Sequence, residues 1–243
     1  YLAAWISKAR DKIKTLNHGL LPFLIMLGLV GAILLSQPDT DTYAVVLFAG
    51  LAMFLVGGGK WSHIFGVIAV TLIGLGLIAY ARPYVKERLV TFLEPSSNYL
   101  TSGYQIQQSL IAVGSGQITG KGFGKSIQKF SYLPEPIGDS IFAVAAEEFG
   151  FIGASLIIVI FVFFAFKGLR IAARAPDIFG GLLSLGIVIL IVSQMFINVG
   201  GMLGLLPLTG IPLPFISHGG TALFITLVEA GIILNISKHS KKT

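Results

Sequence analysis

The sequence predicts an all-α membrane protein: a polytopic helical bundle of about six transmembrane helices with one large extracellular loop. Three observations predict it. Uninterrupted apolar runs of about 18–20 residues recur along the chain, the length that crosses a bilayer core. Hydrophobic residues make up 54% of the chain and charged ones only 12%, a balance unsuited to a charged, water-facing surface. The apolar segments are continuous rather than alternating, which argues against a membrane β-barrel. One bundle suffices for 243 residues, so residues 1–243 read as a single transmembrane domain.

Apolar length places spans at about 19–36, 41–57, 62–80, 141–167, 179–202 and 217–236. Asn17 and Gln37-Pro38-Asp39 bound the first, and the second ends at Gly57-Gly58-Gly59-Lys60. The fifth runs into a proline-rich passage, Pro207 to Pro214. Between the third and fourth lies the long loop, residues 83–139, which holds Glu87, Glu94, Glu135 and Asp139 together with Lys121, Lys125 and Lys129. A connection of that length is usually functional or disordered.

Charge then orients the bundle. Lys8, Arg10, Lys12, Lys14, Lys60, Lys167, Arg170, Arg174, Lys238, Lys241 and Lys242 fall on one side; Arg82 at its edge, Lys86, Arg88 and the three lysines above belong with the long loop. Short basic loops stay in the cytoplasm, while long loops cross largely regardless of charge. Both termini are therefore expected in the cytoplasm. The 83–139 loop, the Gln37–Asp41 turn and the Pro207–Pro214 passage are expected outside. The net charge of +6 is read as these anchors, with no nucleic-acid partner. There are no cysteines, which excludes disulfides, thiolate metal sites and a cysteine nucleophile. The chain starts at Tyr1 without a signal-peptide pattern and reads as a fragment.

The run from Gly114 to Ser126 resembles a phosphate loop, but the spacing fails. Gly120 and Gly124 enclose three residues where a P-loop needs four. The plain reading is a flexible turn; an intermediate one keeps Lys121 and Lys125 as point charges for a phosphate. Asp139 stands where a helix N-cap would stand, and equally where a carboxylate at the bundle edge could take a proton from a hydroxyl. Glu147 and Glu148 lie inside the fourth span, where carboxylates are costly. They read as a second site or as a brace for the loop through its lysines. Glu229 in the sixth span is a functional candidate by default, or else a packing residue near Gln194 or Asn198. Ser217 reads as an N-cap, with Gly219 and Gly220 exposing amides for an anion or allowing close packing. His218 has no second histidine at ligand spacing, and the metal question stays open.

In this order, Gln37-Pro-Asp, Gly103-Tyr-Gln-Ile-Gln-Gln-Ser109, Gly120-Lys-Gly-Phe-Gly124, Tyr132-Leu-Pro-Glu135, Asp139-x-Ile-Phe-Ala143, Glu147-Glu148 and Pro214-Phe-Ile-Ser-x-Gly-Gly220 closely resemble the SEDS family of FtsW/RodA-type proteins. The resemblance covers essentially the whole chain, which looks like the last six of the family's ten spans and closer to its division (FtsW) branch. It implies a peptidoglycan glycosyltransferase of the bacterial cytoplasmic membrane. The implied substrate is undecaprenyl-linked lipid II, and the implied partner is a class B penicillin-binding protein. By motif the family's essential acid falls on Asp139. Arg88, Lys121 or Lys125 would neutralise the leaving pyrophosphate, with or without a divalent cation (Mg or Mn). Glu135, Ser217, Gly219 and Gly220 complete the expected substrate-binding set. The chain departs from the family's pattern at Asp41, His218 and around the acid, where Ile137-Gly138-Asp139-Ser140 replaces His-Thr-Asp-Phe. Two other readings compete: a flippase or transporter of lipid-linked precursor, in which Glu229 and Glu147 matter more, and a non-catalytic scaffold for the penicillin-binding protein.

Overall fold

A computed structural model describes residues 1–37, 39–81, 83–94 and 102–240. Pro38, Arg82, Lys241 and Lys242 of the sequence reading lie outside the described residues. Those that are described form helices and connections, with no strand.

A short helix α1 (Leu2–Ala9) precedes a π turn at Leu16–Leu20, α2 (Leu21–Ser36), α3 (Thr40–Val56) and α4 (Trp61–Ala81). Three helices follow within the expected loop: α5 (Pro83–Leu93), α6 (Ser102–Ser115) and the single turn α7 (Gln128–Ser131). The chain ends with α8 (Ile141–Ala173), α9 (Ile178–Met202) and α10 (Gly220–Lys238). The six apolar runs are thus helical within a few residues of their expected bounds, apart from α8, which continues to Ala173. Four segments, Leu16–Ser36, Ile141–Ala173, Ile178–Met202 and Gly220–Lys238, are long and apolar enough to cross a membrane. Thr40–Val56 and Trp61–Gly74 are shorter apolar helices.

Among its described residues the long loop carries three helical segments joined by turns. The fourth span is not one continuous helix: Gly150 breaks it at φ 66°, ψ −166°.

Two compact units share these helices. One comprises residues 1–76, 164–193 and 227–243. Its core packs Ile6, Ile13, Phe23, Leu27, Phe54 and Leu185, with the Phe23 and Phe54 rings 4.6 Å apart. Small residues let backbones approach: a Cβ on Gly31 would stand 2.7 Å from the Tyr43 ring, and one on Gly186 2.6 Å from the Met53 sulfur. Asp39 caps α3 by accepting from the Thr42 amide at 3.0 Å.

The other unit comprises residues 77–163 and 194–226. Ile106, Ala112, Phe142, Met195, Met202 and Leu213 are buried in it. Its organising feature is the break in α8. The interruption frees backbone groups, and the 117–122 segment takes them up. The Lys121 and Gly122 amides donate to the Glu147 and Glu148 carbonyls at 3.0 and 2.9 Å. The Phe151 and Ile152 amides donate to the Gln117 and Ile118 carbonyls at 2.8 and 3.2 Å. Such pairing requires close approach. A Cβ on Gly120 would collide with the Glu148 backbone, and one on Gly116 with that of Ala146. The glycines that imitate a phosphate loop serve backbone contact instead.

Candidate functional site: the Asp139 cavity and its supports

The segment Tyr132–Asp139 turns sharply before α8. Glu135 lies between two prolines at φ 45°, a left-handed conformation that few non-glycine residues adopt. Its carbonyl accepts from the Gly138 and Ser140 amides at 3.2 and 3.1 Å, closing the turn. Ser140, fully buried, donates its hydroxyl to the Pro134 carbonyl at 2.9 Å and accepts from Gln105 at 3.0 Å.

Three successive carbonyls are then held from elsewhere in the unit. The His218 amide donates to Ile137 at 2.8 Å. The Ser217 hydroxyl donates to Gly138 at 2.8 Å. The Asn198 side-chain amide donates to Asp139 at 2.7 Å and to Ile211 at 2.9 Å. The backbone carrying the acid is therefore fixed without help from the side chains at 137 and 138.

Helix α8 begins at Ile141, and the Ser140 carbonyl accepts from the Ala143 and Val144 amides. Ser140 thus takes the half-in position at the helix start, and the N-cap reading of Asp139 gives way. Its carboxylate lines a cavity of about 380 Å³ with Arg88, Thr91, Gln105, Thr209 and Gly210 among the other walls. Burial pushes the Asp139 carboxyl above the usual aspartate range, and the charge of Glu135 pushes it further the same way. Thr209 Oγ1 is buried with no hydrogen-bond partner, a polar atom available to a ligand.

Of the residues singled out from sequence, Asp139 and Arg88 meet at this cavity, and Glu135 acts on it through charge. Ser217 is not the cap of α10, which starts at Gly220. Its hydroxyl also accepts from the Leu213 amide at 2.7 Å, so it ties the proline-rich passage to Gly138. Gly219 offers its carbonyl to the Leu223 amide at 2.8 Å at the start of α10, and Gly220 is exposed. Neither glycine lines the cavity, and neither do Lys121 and Lys125.

Lys121 instead pairs with Glu147 at 2.6 Å, and Lys129 with Glu148 at 2.5 Å. Glu147 is fully buried. It also accepts from the Ser126 hydroxyl at 2.6 Å and from the Ile127 and Gln128 amides at 3.2 Å each. Glu148 accepts from the Gly124 amide at 3.0 Å. The two acids brace the loop through its lysines, as one of the two sequence readings held, and the turn is packed rather than loose. Lys125 is exposed, and Glu229 is half-buried in the part of α10 that belongs to the first unit.

Sequence reading did not single out Gln105, Thr91 or Thr209 as site residues, and it considered Asn198 only as a neighbour of Glu229. The available signal was weak. Gln105 sits in the Gly103–Ser109 motif, and Asn198 is a lone amide in an apolar run, where a side-chain donor needs a partner.

A polytopic helical membrane protein with an acid held beside the entry to a broken helix is the class that fold and site define. Residues 1–242 match the family described as Cell cycle protein, that of FtsW, RodA and SpoVE, and the chain belongs to it. It is 39% identical over 99% of its length to the stage V sporulation protein E of Bacillus subtilis, covering 66% of that protein. It is 38% identical to a probable peptidoglycan glycosyltransferase FtsW of Geobacter sp., covering 99% of this chain and 66% of the relative. Among solved structures, it resembles a chain from a study of polymerization and crosslinking by a peptidoglycan synthase complex (TM-score 0.78, 25% identity, 100% of this chain and 68% of that one). The fold of Thermus thermophilus RodA is similar as well (TM-score 0.62, 24% identity, 100% of this chain and 64% of that one). The chain thus spans a little under two thirds of the curated relatives it matches.

Proposed function

We propose that this chain carries the catalytic part of a peptidoglycan glycosyltransferase that polymerises lipid II at the outer face of the cytoplasmic membrane during cell division. The observation that carries the reading is the placement of Asp139: a carboxylate of raised pKa on a cavity that also contains Arg88. The relatives named as probable peptidoglycan glycosyltransferases support the reaction class.

The acceptor's sugar 4-hydroxyl attacks the anomeric carbon of the donor chain. The new glycosidic bond forms as the bond to the lipid pyrophosphate breaks. Asp139 takes the hydroxyl proton, and a raised pKa brings its basicity nearer to working pH. Arg88 faces the charge that develops on the pyrophosphate. Thr209 and Gln105 supply hydrogen bonds that orient the sugar. A cavity of about 380 Å³ suits a sugar and a phosphate. The polyprenyl tail stays in the bilayer.

Among the described residues no three His, Asp or Glu converge as a metal-ligating group. Asp139 is the carboxylate on the cavity that would hold a Mg or Mn ion, whose chemistry would be to offset charge on the leaving pyrophosphate. The partner in this reading is a class B penicillin-binding protein that crosslinks the strands.

The test is polymerisation of purified lipid II by the full-length protein with its partner. Asp139→Asn is expected to abolish glycan strands while the protein still unfolds cooperatively on heating. Strands made at the unsubstituted rate would remove Asp139 as the base.

A further inference from the structure

The segment between Gln117 and Tyr132 combines two properties that do not belong together in water. Five large apolar or aromatic side chains point outward among its polar ones: Phe123 is 82% exposed and Phe130 76%, with Ile118, Ile127 and Tyr132 also exposed. Its backbone amides, by contrast, are satisfied almost throughout within the protein. Every amide from Gly120 to Phe130 except that of Phe123 donates to an acceptor in the protein. The Glu147 and Glu148 carboxylates supply four of these acceptor contacts, to Gly124, Ser126, Ile127 and Gln128. A water-facing loop has no need of such closure, whereas a non-helical segment in contact with lipid cannot do without it.

Its depth follows from where it is pinned. The segment bonds to α8 at residues 147–152. The uncharged run of α8 extends from Phe149 to Phe166 and is followed by Lys167. At 1.5 Å per residue that run is about 27 Å long, close to the roughly 30 Å of a hydrocarbon core. The attachment point therefore coincides with the end of the hydrocarbon-crossing run. The apolar surface of the segment continues that of the helix: Phe151 and Ile152 are exposed beside it, and the Phe123 ring stacks on Phe149 at 5.9 Å.

We propose that residues 117–132 form an interfacial membrane segment. Ile118, Phe123, Ile127 and Phe130 dip into the acyl chains at the N-terminal end of α8, and Lys125 reaches back to lipid phosphates. Aromatic rings and snorkelling lysines favour this boundary. Glu147 and Glu148 are then the device that makes the placement possible, since they neutralise two lysines and close the backbone from within. A proximal lipid surface would also set the depth of the chain that leads, seven residues on from Tyr132, to Asp139. The bilayer is favoured over a protein partner because the patch is continuous with the exposed apolar side of α8 and leaves, between Gly120 and Phe130, only the Phe123 amide to pair with an added strand.

The experiment places tryptophan at Phe123 or at Phe130 in a Trp5→Phe, Trp61→Phe background of the full chain. The protein is reconstituted in vesicles of phosphatidylethanolamine and phosphatidylglycerol whose acyl chains are brominated either near the glycerol or near the methyl end. Strong quenching by the shallow bromines, weaker quenching by the deep ones and protection from aqueous iodide are expected at both positions. Quenching by iodide without quenching by bromine would put the segment in water and overturn the proposal. Protection from both quenchers would mean that protein covers the patch, a second copy or a partner chain, and would overturn it equally.

Discussion

The side-chain amide of Asn198 in α9 donates to the backbone carbonyl of Asp139 at 2.7 Å, and with its second hydrogen to that of Ile211 at 2.9 Å. One buried amide thus links the turn that carries Asp139 to the proline-rich passage. Its own Oδ1 is buried and has no partner. Asn198→Ala leaves two carbonyls without donors, and loss of a buried partner costs about 1–3 kcal/mol per orphaned group. Thermal unfolding in detergent should show a clear drop, and lipid II polymerisation should fall with it because the acid loses its fixed register. Unchanged stability would mean that the carbonyls find water.

The raised pKa of Asp139 gives the pH dependence a definite sign. The folded protein holds this proton more tightly than the unfolded chain does. Its stabilising contribution is complete below the ordinary aspartate range and is lost as pH rises through the raised folded value. At neutral pH Asp139→Asn should therefore leave the melting temperature equal or higher while activity disappears. A carboxylate that takes the acceptor's proton must be ionised, so under the proposed role the rate should fall as pH drops through that raised value. Glu135→Gln removes the second cause of the shift and should move the acid limb of the rate profile to lower pH. An acid limb that does not move on this substitution would refute the coupling.

Lys121 and Glu147 are unequal partners: Glu147 is fully buried, while the lysine side chain is 31% exposed. Lys121→Met strands a buried carboxylate, a change that costs about 3–5 kcal/mol when one member of a buried pair is removed. The remaining donors to Glu147 and the lysine's exposure put the expectation at the low end. The double variant Lys121→Met, Glu147→Gln should recover part of the loss. Limited proteolysis between Gly120 and Lys129 offers an independent readout, with faster cleavage expected in the single variant than in the double one.

Thr209→Val keeps the shape of the side chain and removes a buried hydroxyl that has no partner within the protein. Stability should hold or rise slightly. If the hydroxyl meets the substrate, KM for lipid II should increase with little change in melting temperature. An unaltered KM would place the sugar elsewhere.

Much of the helical plan was legible along the chain because membrane spans obey a one-dimensional rule. The runs at 179–202 and 141–167 are apolar for long enough to cross a bilayer, and α9 and α8 form there. The break at Gly150 was not legible. Glycine is frequent in membrane helices, and nothing local distinguishes the one at φ 66° from Gly153 three residues later. What decides is the chain from Gln117 to Gly122, remote in sequence, which supplies partners for the backbone groups that the break exposes. What these glycines do instead of cradling a phosphate was hidden for the same reason, since Gly116 and Gly120 answer to the backbone of Ala146 and Glu148.

By itself the sequence determined the class, the helical runs, the family and the candidate acid, because length, charge and motif order are properties of the chain read in line. Tertiary structure decided how the polar residues are shared out. Lys121, a plausible phosphate ligand in sequence, is bound to Glu147. Ser217, an expected helix cap, holds the carbonyl of Gly138 instead. Arg88, Gln105 and Thr209, far apart along the chain, line one cavity with Asp139. The physical reason is common to all three cases. In a chain with so few charged groups, each buried polar atom must find a partner or carry its desolvation cost, and where those partners lie in space is set by folding rather than by spacing.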